Sequence, residues 1–169
     1  MKPKSILVTA FICLFSMTAM AQADDEINAY KGMFVYNFIR YIQWPNNTEN
    51  IQIGIVGSDE KILSAFGKLA KSKSPTGQQI IIKQVTPEES SNCNMLFISA
   101  KVSNGDILSI INQLKDLPIV VITDDENWIK KGAFLSFKIH GGKLRFQINK
   151  EAFDRTKMKV SSALLSMAI

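Results

Sequence analysis

Between Tyr30 and Pro45 the apolar residues recur at helical spacing on two rows instead of one. At about 100° per residue, Ile27, Tyr30, Phe34, Phe38 and Tyr41 fall on one stripe, and Val35, Ile39 and Ile42 form a second beside it. Pro45 disfavours helix for the residue before it, so the pattern predicts a helix ending near Trp44. A single buried stripe would satisfy a surface helix. The second row therefore needs cover from the domain's own core or from another protein. The core reading is favoured for Ile39, and Tyr36, outside both rows, is a candidate partner contact.

The following pattern alternates short continuous apolar runs with helical periods. Ile51–Val56, Gln79–Val85, Asn94–Ser99 and Pro118–Thr123 read as strands buried on both faces. Ser58 or Asp59 can cap a helix to about Lys71, and Ser72–Gln78 is a polar loop. Thr86–Asn92 has room for one helical turn. Asn104 or Asp106 opens a helix to Lys115 with Ile107, Ile110, Ile111 and Leu114 inward. From Ala133 the period changes to two. Phe134, Phe137 and Ile139, then Leu144, Phe146 and Ile148, flank Gly141-Gly142, which predicts an antiparallel hairpin. A last helix is expected from Lys150 to the end, burying Phe153, Met158, Val160, Leu164 and Leu165. The fold class is α/β: one three-layer domain with a mostly parallel sheet, a C-terminal antiparallel hairpin, and helices on both faces.

The first 23 residues carry a different signal. Lys2 and Lys4 precede an apolar run from Ile6 to Phe15, followed by Ala19-Met20-Ala21 and Ala21-Gln22-Ala23. This is the layout of a secretory signal peptide, with cleavage expected after Ala21 or Ala23. The run is too short for a confident membrane span. Bulky Ile12 before Cys13 argues against a lipoprotein cysteine. The mature domain is then 24–169, addressed to the periplasm, with no transmembrane segment. Removing Lys2 and Lys4 lowers the formal net charge from +5 to +3, and no dense basic run remains to suggest nucleic acid. Cys93 becomes the lone mature cysteine, so no internal disulfide can form. It reads as a buried core residue, with a redox thiol as the alternative.

Candidate chemistry is sparse. His140 is the only histidine, and no nucleophile elbow, zinc motif or phosphate-binding glycine motif is present. Asp124-Asp125-Glu126 follows the fourth strand, at the edge where open α/β sheets bind ligands. Those carboxylates could hold a cation. The alternative is a helix start, since Asn127–Lys131 ends at Gly132 and aspartate caps helix N-termini. Lys138, Lys143 and Arg145 can line one hairpin face, as a solvated surface or an anion contact. No metal or cofactor is expected, and no catalytic set assembles.

The opening helix ending in Trp44-Pro45, then IQIGIVG, CNMLFIS, VITDDENWIKKGAFLSF, KLRFQIN and KVSSALLSMA occur in this order. This ordered set resembles the YfiR/HmsC-like family across the whole mature chain. The resemblance implies a non-catalytic periplasmic protein. Its partner would be an inner-membrane signalling protein contacted through its periplasmic domain, a diguanylate cyclase or sensor kinase, with biofilm formation restrained. Relatives often carry regulatory disulfides. Cys93 matches one such position, but the mature chain has no second cysteine. The runner-up is a periplasmic small-molecule-binding module using strand ends near Gly57, Ser99 and Thr123-Asp124. A homodimer remains open. Candidate contacts are thus Tyr36, Ser99, Asp124, Asp125 and Arg145.

Overall fold

The computed structural model describes residues 24–45, 49–71 and 74–169. The expected signal peptide, Cys13 included, and Ser72-Lys73 of the expected polar loop lie outside the described residues. The elements run in order as α1 (residues 24–41), β1 (Ile42–Gln43), β2 (Asn50–Val56), α2 (Glu60–Gly67), β3 (Gln79–Gln84), β4 (Met95–Ile98), α3 (Asn104–Leu114), β5 (Val120–Thr123), β6 (Leu135–His140), β7 (Lys143–Ile148), α4 (Lys150–Arg155), β8 (Lys159–Val160) and α5 (Ser162–Met167). Single 3-10 turns fill Leu69–Lys71, Glu88–Asn92 and Glu126–Lys131.

Six strands form the main sheet in the order β3-β2-β4-β5-β6-β7. The first five are parallel, and β7 closes the edge antiparallel to β6. The hairpin turns through Gly141 and Gly142, both at positive φ (56° and 72°). That is the mirror-image turn whose twist matches a two-residue hairpin. Because β3 and β4 lie on opposite sides of β2, the strand order reverses there. Right-handed crossovers then place α2 on one face and α3 on the other. On α3, Ile107, Ile110, Ile111 and Leu114 are buried as the spacing predicts.

α1 joins α2 on its face, with Gly32 close against Ala65 and Phe66. A run of rings links this layer to the sheet. Phe66 stands edge-on to Phe97 at 5.2 Å, and Phe38 to Phe146 at 5.0 Å. Phe137 lies between, 6.4 Å from Phe97 and 6.2 Å from Phe38. Such pairs add roughly 0.5–1.5 kcal/mol each beyond their burial. Val35, Phe38, Ile39 and Ile42 are core residues. The second apolar row is therefore covered by the domain itself. On the other stripe Tyr30 stays exposed, and Ile27, Phe34 and Tyr41 are half-buried.

Three expectations are corrected. The first helix ends at residue 41, not near Trp44, because Ile42 and Gln43 pair antiparallel with Val160 and Lys159. The single C-terminal helix is instead α4, β8 and α5. Lys157 takes a left-handed φ of 60°, which breaks the helix, and Ser161 caps a new one by accepting from the Leu164 N–H. Ile139 is 54% exposed, unlike Phe137 two residues before it.

The side chains of Cys93, Val85 and Leu96 close over Gly54 on β2 so tightly that a Cβ has no room. A Cβ there would stand 2.6 Å from Cys93 Sγ and 2.8 Å from Val85 Cγ2. Gly54→Ala is expected to destabilise by about 1–3 kcal/mol through overpacking. Cys93→Ala in the same chain should recover part of that loss. Urea melts of the single and double variants read the coupling, and additive losses would contradict the steric account.

Candidate functional site

At the point where the strand order reverses, open α/β sheets present a crevice outside the carboxyl ends of their strands. Here the chain leaves β2 through Gly57 at φ +99°. A Cβ at that position would press on Val102 Cγ2 at 2.9 Å and Ser99 Cβ at 3.2 Å, so glycine is required. Asp59 follows, Ser99 stands directly after β4, and Asp124 directly after β5. α1 lays Lys31 over the same edge. Lys31, Asp59, Ser99 and Asp124 line a cleft of about 430 Å³, with Lys101, Lys138 and the apolar Phe137, Ile139 and Leu144.

The ionised groups are matched in pairs. Lys31 Nζ lies 2.7 Å from Asp124 Oδ1 and 2.8 Å from Oδ2. The pair is largely dry, with side-chain exposures of 10% and 17%. Lys101 Nζ reaches Asp59 Oδ2 at 3.2 Å, and the buried Ser99 hydroxyl donates to the same oxygen at 3.3 Å. Asp59 also caps α2, accepting from the Ile62 N–H. Lys138 pairs with Glu126, and Lys61 with Asp24 and Asp25.

Partial burial works to raise the Asp59 carboxyl. The Ile62 N–H, Lys101 and the Ser99 hydroxyl outweigh it and hold the group below its ordinary 3.8. Burial pushes the Asp124 carboxyl above 3.8 against the pull of Lys31, with Asp59 and Asp125 adding to the rise. The two aspartates therefore bend the stability profile in opposite directions. Asp59 contributes stability present above 3.8 and lost as pH falls through its folded value. For Asp124 the folded state holds the proton more tightly than the unfolded chain. Its contribution is therefore greatest below 3.8 and declines as pH rises through its folded value. Asp59→Asn should flatten the acid loss, and Asp124→Asn should steepen it. Urea melts across about pH 3 to 7 check both. Changes of the same sign in the two variants would refute the assignment.

The model of the YfiR/HmsC-like family matches residues 28–169. This chain belongs to the YfiR/HmsC-like family. YfiR/HmsC-like proteins are periplasmic regulators, generally without catalytic activity. No curated protein matches significantly. Among solved structures, the crystal structure of a conserved domain protein from Vibrio cholerae O1 biovar El Tor strain N16961 shares the α/β fold. Its TM-score is 0.51 at 13% identity, over 83% of this chain. The chain spans 58% of that protein's length. The ABC domain from Streptococcus pneumonia, solved in complex with L-Trp, gives a TM-score of 0.48 at 11% identity over 70% of this chain and 54% of that one. Among the described residues no helix is long and apolar enough to cross a membrane, and no group of three or more His, Cys, Asp or Glu is placed to hold a metal.

Of the candidate residues of this YfiR/HmsC-like chain, the fold brings Ser99 and Asp124 together in the crevice. It separates the other four. Asp125 caps the 3-10 turn after β5, accepting from the Asn127 N–H at 2.9 Å, and Gly132 ends that turn at φ +111°. The three successive carboxylates are thus divided among a lysine, a cap and a second lysine. Arg145 is exposed on β7, in register with Lys138. Tyr36 lies half-buried at the margin of the core. Cys93 is buried beside Gly54, with Gln52 Nε2 at 3.8 Å, and burial pushes its thiol up, away from thiolate reactivity. Lys31, Asp59 and Lys101 complete the crevice and were not singled out from the sequence as ligand contacts. A usable signal existed for Lys31. Asn28, Lys31, Val35, Phe38 and Ile42 follow 3-4-3-4 spacing, so the core row of α1 begins with polar residues.

Proposed function

We propose that this protein is a non-catalytic periplasmic regulator that binds and restrains the periplasmic sensor domain of an inner-membrane signalling protein, a diguanylate cyclase or a sensor kinase. The observation that carries this reading is the family match over residues 28–169, nearly the whole described domain. The surface supports it. Tyr30 and Met33 on α1 and Ile139 on β6 are 46%, 58% and 54% exposed. Tyr30 and Ile139 border an apolar groove of about 630 Å³ between α1 and the hairpin, with Phe34 and Leu144. Large apolar side chains held in water at one place suit a docking surface. The small-molecule reading is favoured by the crevice. It is weakened because every charged group lining that cleft already has an internal partner.

Residues 1–23 are proposed to be removed on export. Mass spectrometry of protein from the native host's envelope should then find Gln22 or Asp24 at the N-terminus, and retained Met1 would remove the periplasmic address. A photo-cross-linker at Ile139 tests the partner. The expected adduct is an inner-membrane protein with a cytoplasmic cyclase or kinase domain, whose output rises when this gene is deleted. Adducts confined to soluble proteins, with unchanged output, would overturn the reading.

A further inference from the structure

A second cleft, at the amino edge of the sheet, has the opposite electrostatic character. The β1–β8 ribbon forms one wall, and the starts of β2 and β3 form the other, enclosing about 550 Å³. Arg40 and Lys159 line it, and among the described residues no Asp or Glu does. Among the described residues neither cation has a carboxylate within ion-pair distance, unlike every charged group of the crevice. Two rings share the wall. The Arg40 guanidinium sits 5.8 Å over Tyr41, and Trp44 is anchored by its Nε1–H donating to Asn94 O at 3.3 Å. Gln43, Thr76 and Ser161 add amide and hydroxyl groups.

We propose that this cleft binds an acidic saccharide, a sugar ring bearing a carboxylate. Two unpaired cations favour an anion, and an arginine fork matches a carboxylate. The rings offer flat faces with an apolar body, against which the C–H face of a pyranose packs. The Gln43 amide can both donate and accept, as sugar hydroxyls demand. The Ser161 hydroxyl, which accepts from the Leu164 N–H, still has its proton to give, while the Thr76 hydroxyl is held by Gln78 and Ser74. An apolar ligand would strand Arg40 and Lys159 without water or partner. A nucleotide phosphate would call for free backbone N–H groups. In the adjoining loop those donors are consumed internally. Ser74 N–H bonds Gln78 O, Gly77 N–H bonds Ser74 O, and the N–H groups of Thr76 and Gln78 both reach Ser74 Oγ. The cleft's size suits one or two sugar rings. This site does not depend on the regulatory reading and lies away from its groove.

The chain's two tryptophans make the test direct. In ¹H–¹⁵N spectra of the mature protein, glucuronate or digalacturonate should shift the Trp44 indole saturably. The indole of Trp128, buried under Lys131, should not move. Glucose should bind at least tenfold more weakly. The double variant Arg40→Gln/Lys159→Gln changes only exposed side chains, and should lose at least tenfold in uronate affinity with the remaining spectrum unchanged. No saturable shift at Trp44, or undiminished affinity in the double variant, would overturn the proposal. Acetate or inorganic phosphate binding as tightly as the uronates would reduce the site to an adventitious anion only. Tighter binding of AMP would make it a nucleotide site and overturn the saccharide class.

Discussion

Ile39→Asp is expected to leave the domain without a cooperative unfolding transition at 37 °C. Ile39 is fully buried beside Phe38 in the chain, three residues before the β1–β8 ribbon begins. Ile39 is 1% exposed, so a carboxylate there would give up nearly all of its hydration. The penalty for such a group, added to the lost packing, is about 4 kcal/mol or more. Domains of this size keep only about 5–15 kcal/mol in total, so a large part of the margin goes. Ile39→Val, which keeps the shape minus one methyl, should lose only about 0.5–1.5 kcal/mol. Thermal melts of the two variants, followed by circular dichroism, separate the cases. A sharply melting Ile39→Asp domain would mean that this row of α1 faces outward in solution.

Lys31→Met has the second largest expected effect. It leaves the Asp124 carboxylate in a mostly dry site with its main counter-charge gone. Removing one member of a buried pair typically costs about 3–5 kcal/mol. The residual exposure of both partners brings the expectation here to about 2–3 kcal/mol. The loss should shrink as pH falls, because a protonated Asp124 needs no cation. Lys31→Met with Asp124→Leu, which removes both charges and keeps apolar bulk, should recover most of the stability. Chemical denaturation of the three variants at neutral and mildly acidic pH measures this. A single-variant loss below about 0.5 kcal/mol would mean that water solvates the pair.

Much of the scaffold was legible because its signals are local. Continuous runs such as Ile51–Val56 and Met95–Ile98 became central parallel strands. The i, i+3, i+4, i+7 set on α3 is buried as spaced. Gly141-Gly142 turned the hairpin, and Asp125 with Gly132 bounded a 3-10 turn where cap chemistry predicts one. What escaped depends on distant partners. Nothing near Ile42 says that it will leave its helix for Val160, and nothing near Lys157 announces a positive φ. Ile139 alternates correctly with Phe137, yet exposure at the hairpin end is a property of where α1 lies. The crevice was half legible. Ser99 and Asp124 follow from the rule that α/β sheets bind at strand ends. Lys101 needed the tertiary arrangement to place it there, whereas spacing put Lys31 on the buried row of α1 without naming the group it would meet.

On the proposed export route, the ribbon between Ile42–Gln43 and Lys159–Val160 would also set an order of events for a chain that folds as it emerges from a membrane pore, N-terminus first. Its two strands are separated by nearly the whole domain, so closing it carries the largest loop entropy of any pairing in the molecule. The neighbouring pairs β2–β3, β2–β4 and β4–β5 can assemble while the last residues are still inside the pore. The C-terminal end of α1, with Arg40 and Tyr41, cannot be fastened until residues 159 and 160 have passed through. Until then its apolar row is accessible to whatever meets nascent chains on the far side. A chaperone that shields aromatic helices would thus have a defined time window, which ends when residues 159 and 160 arrive.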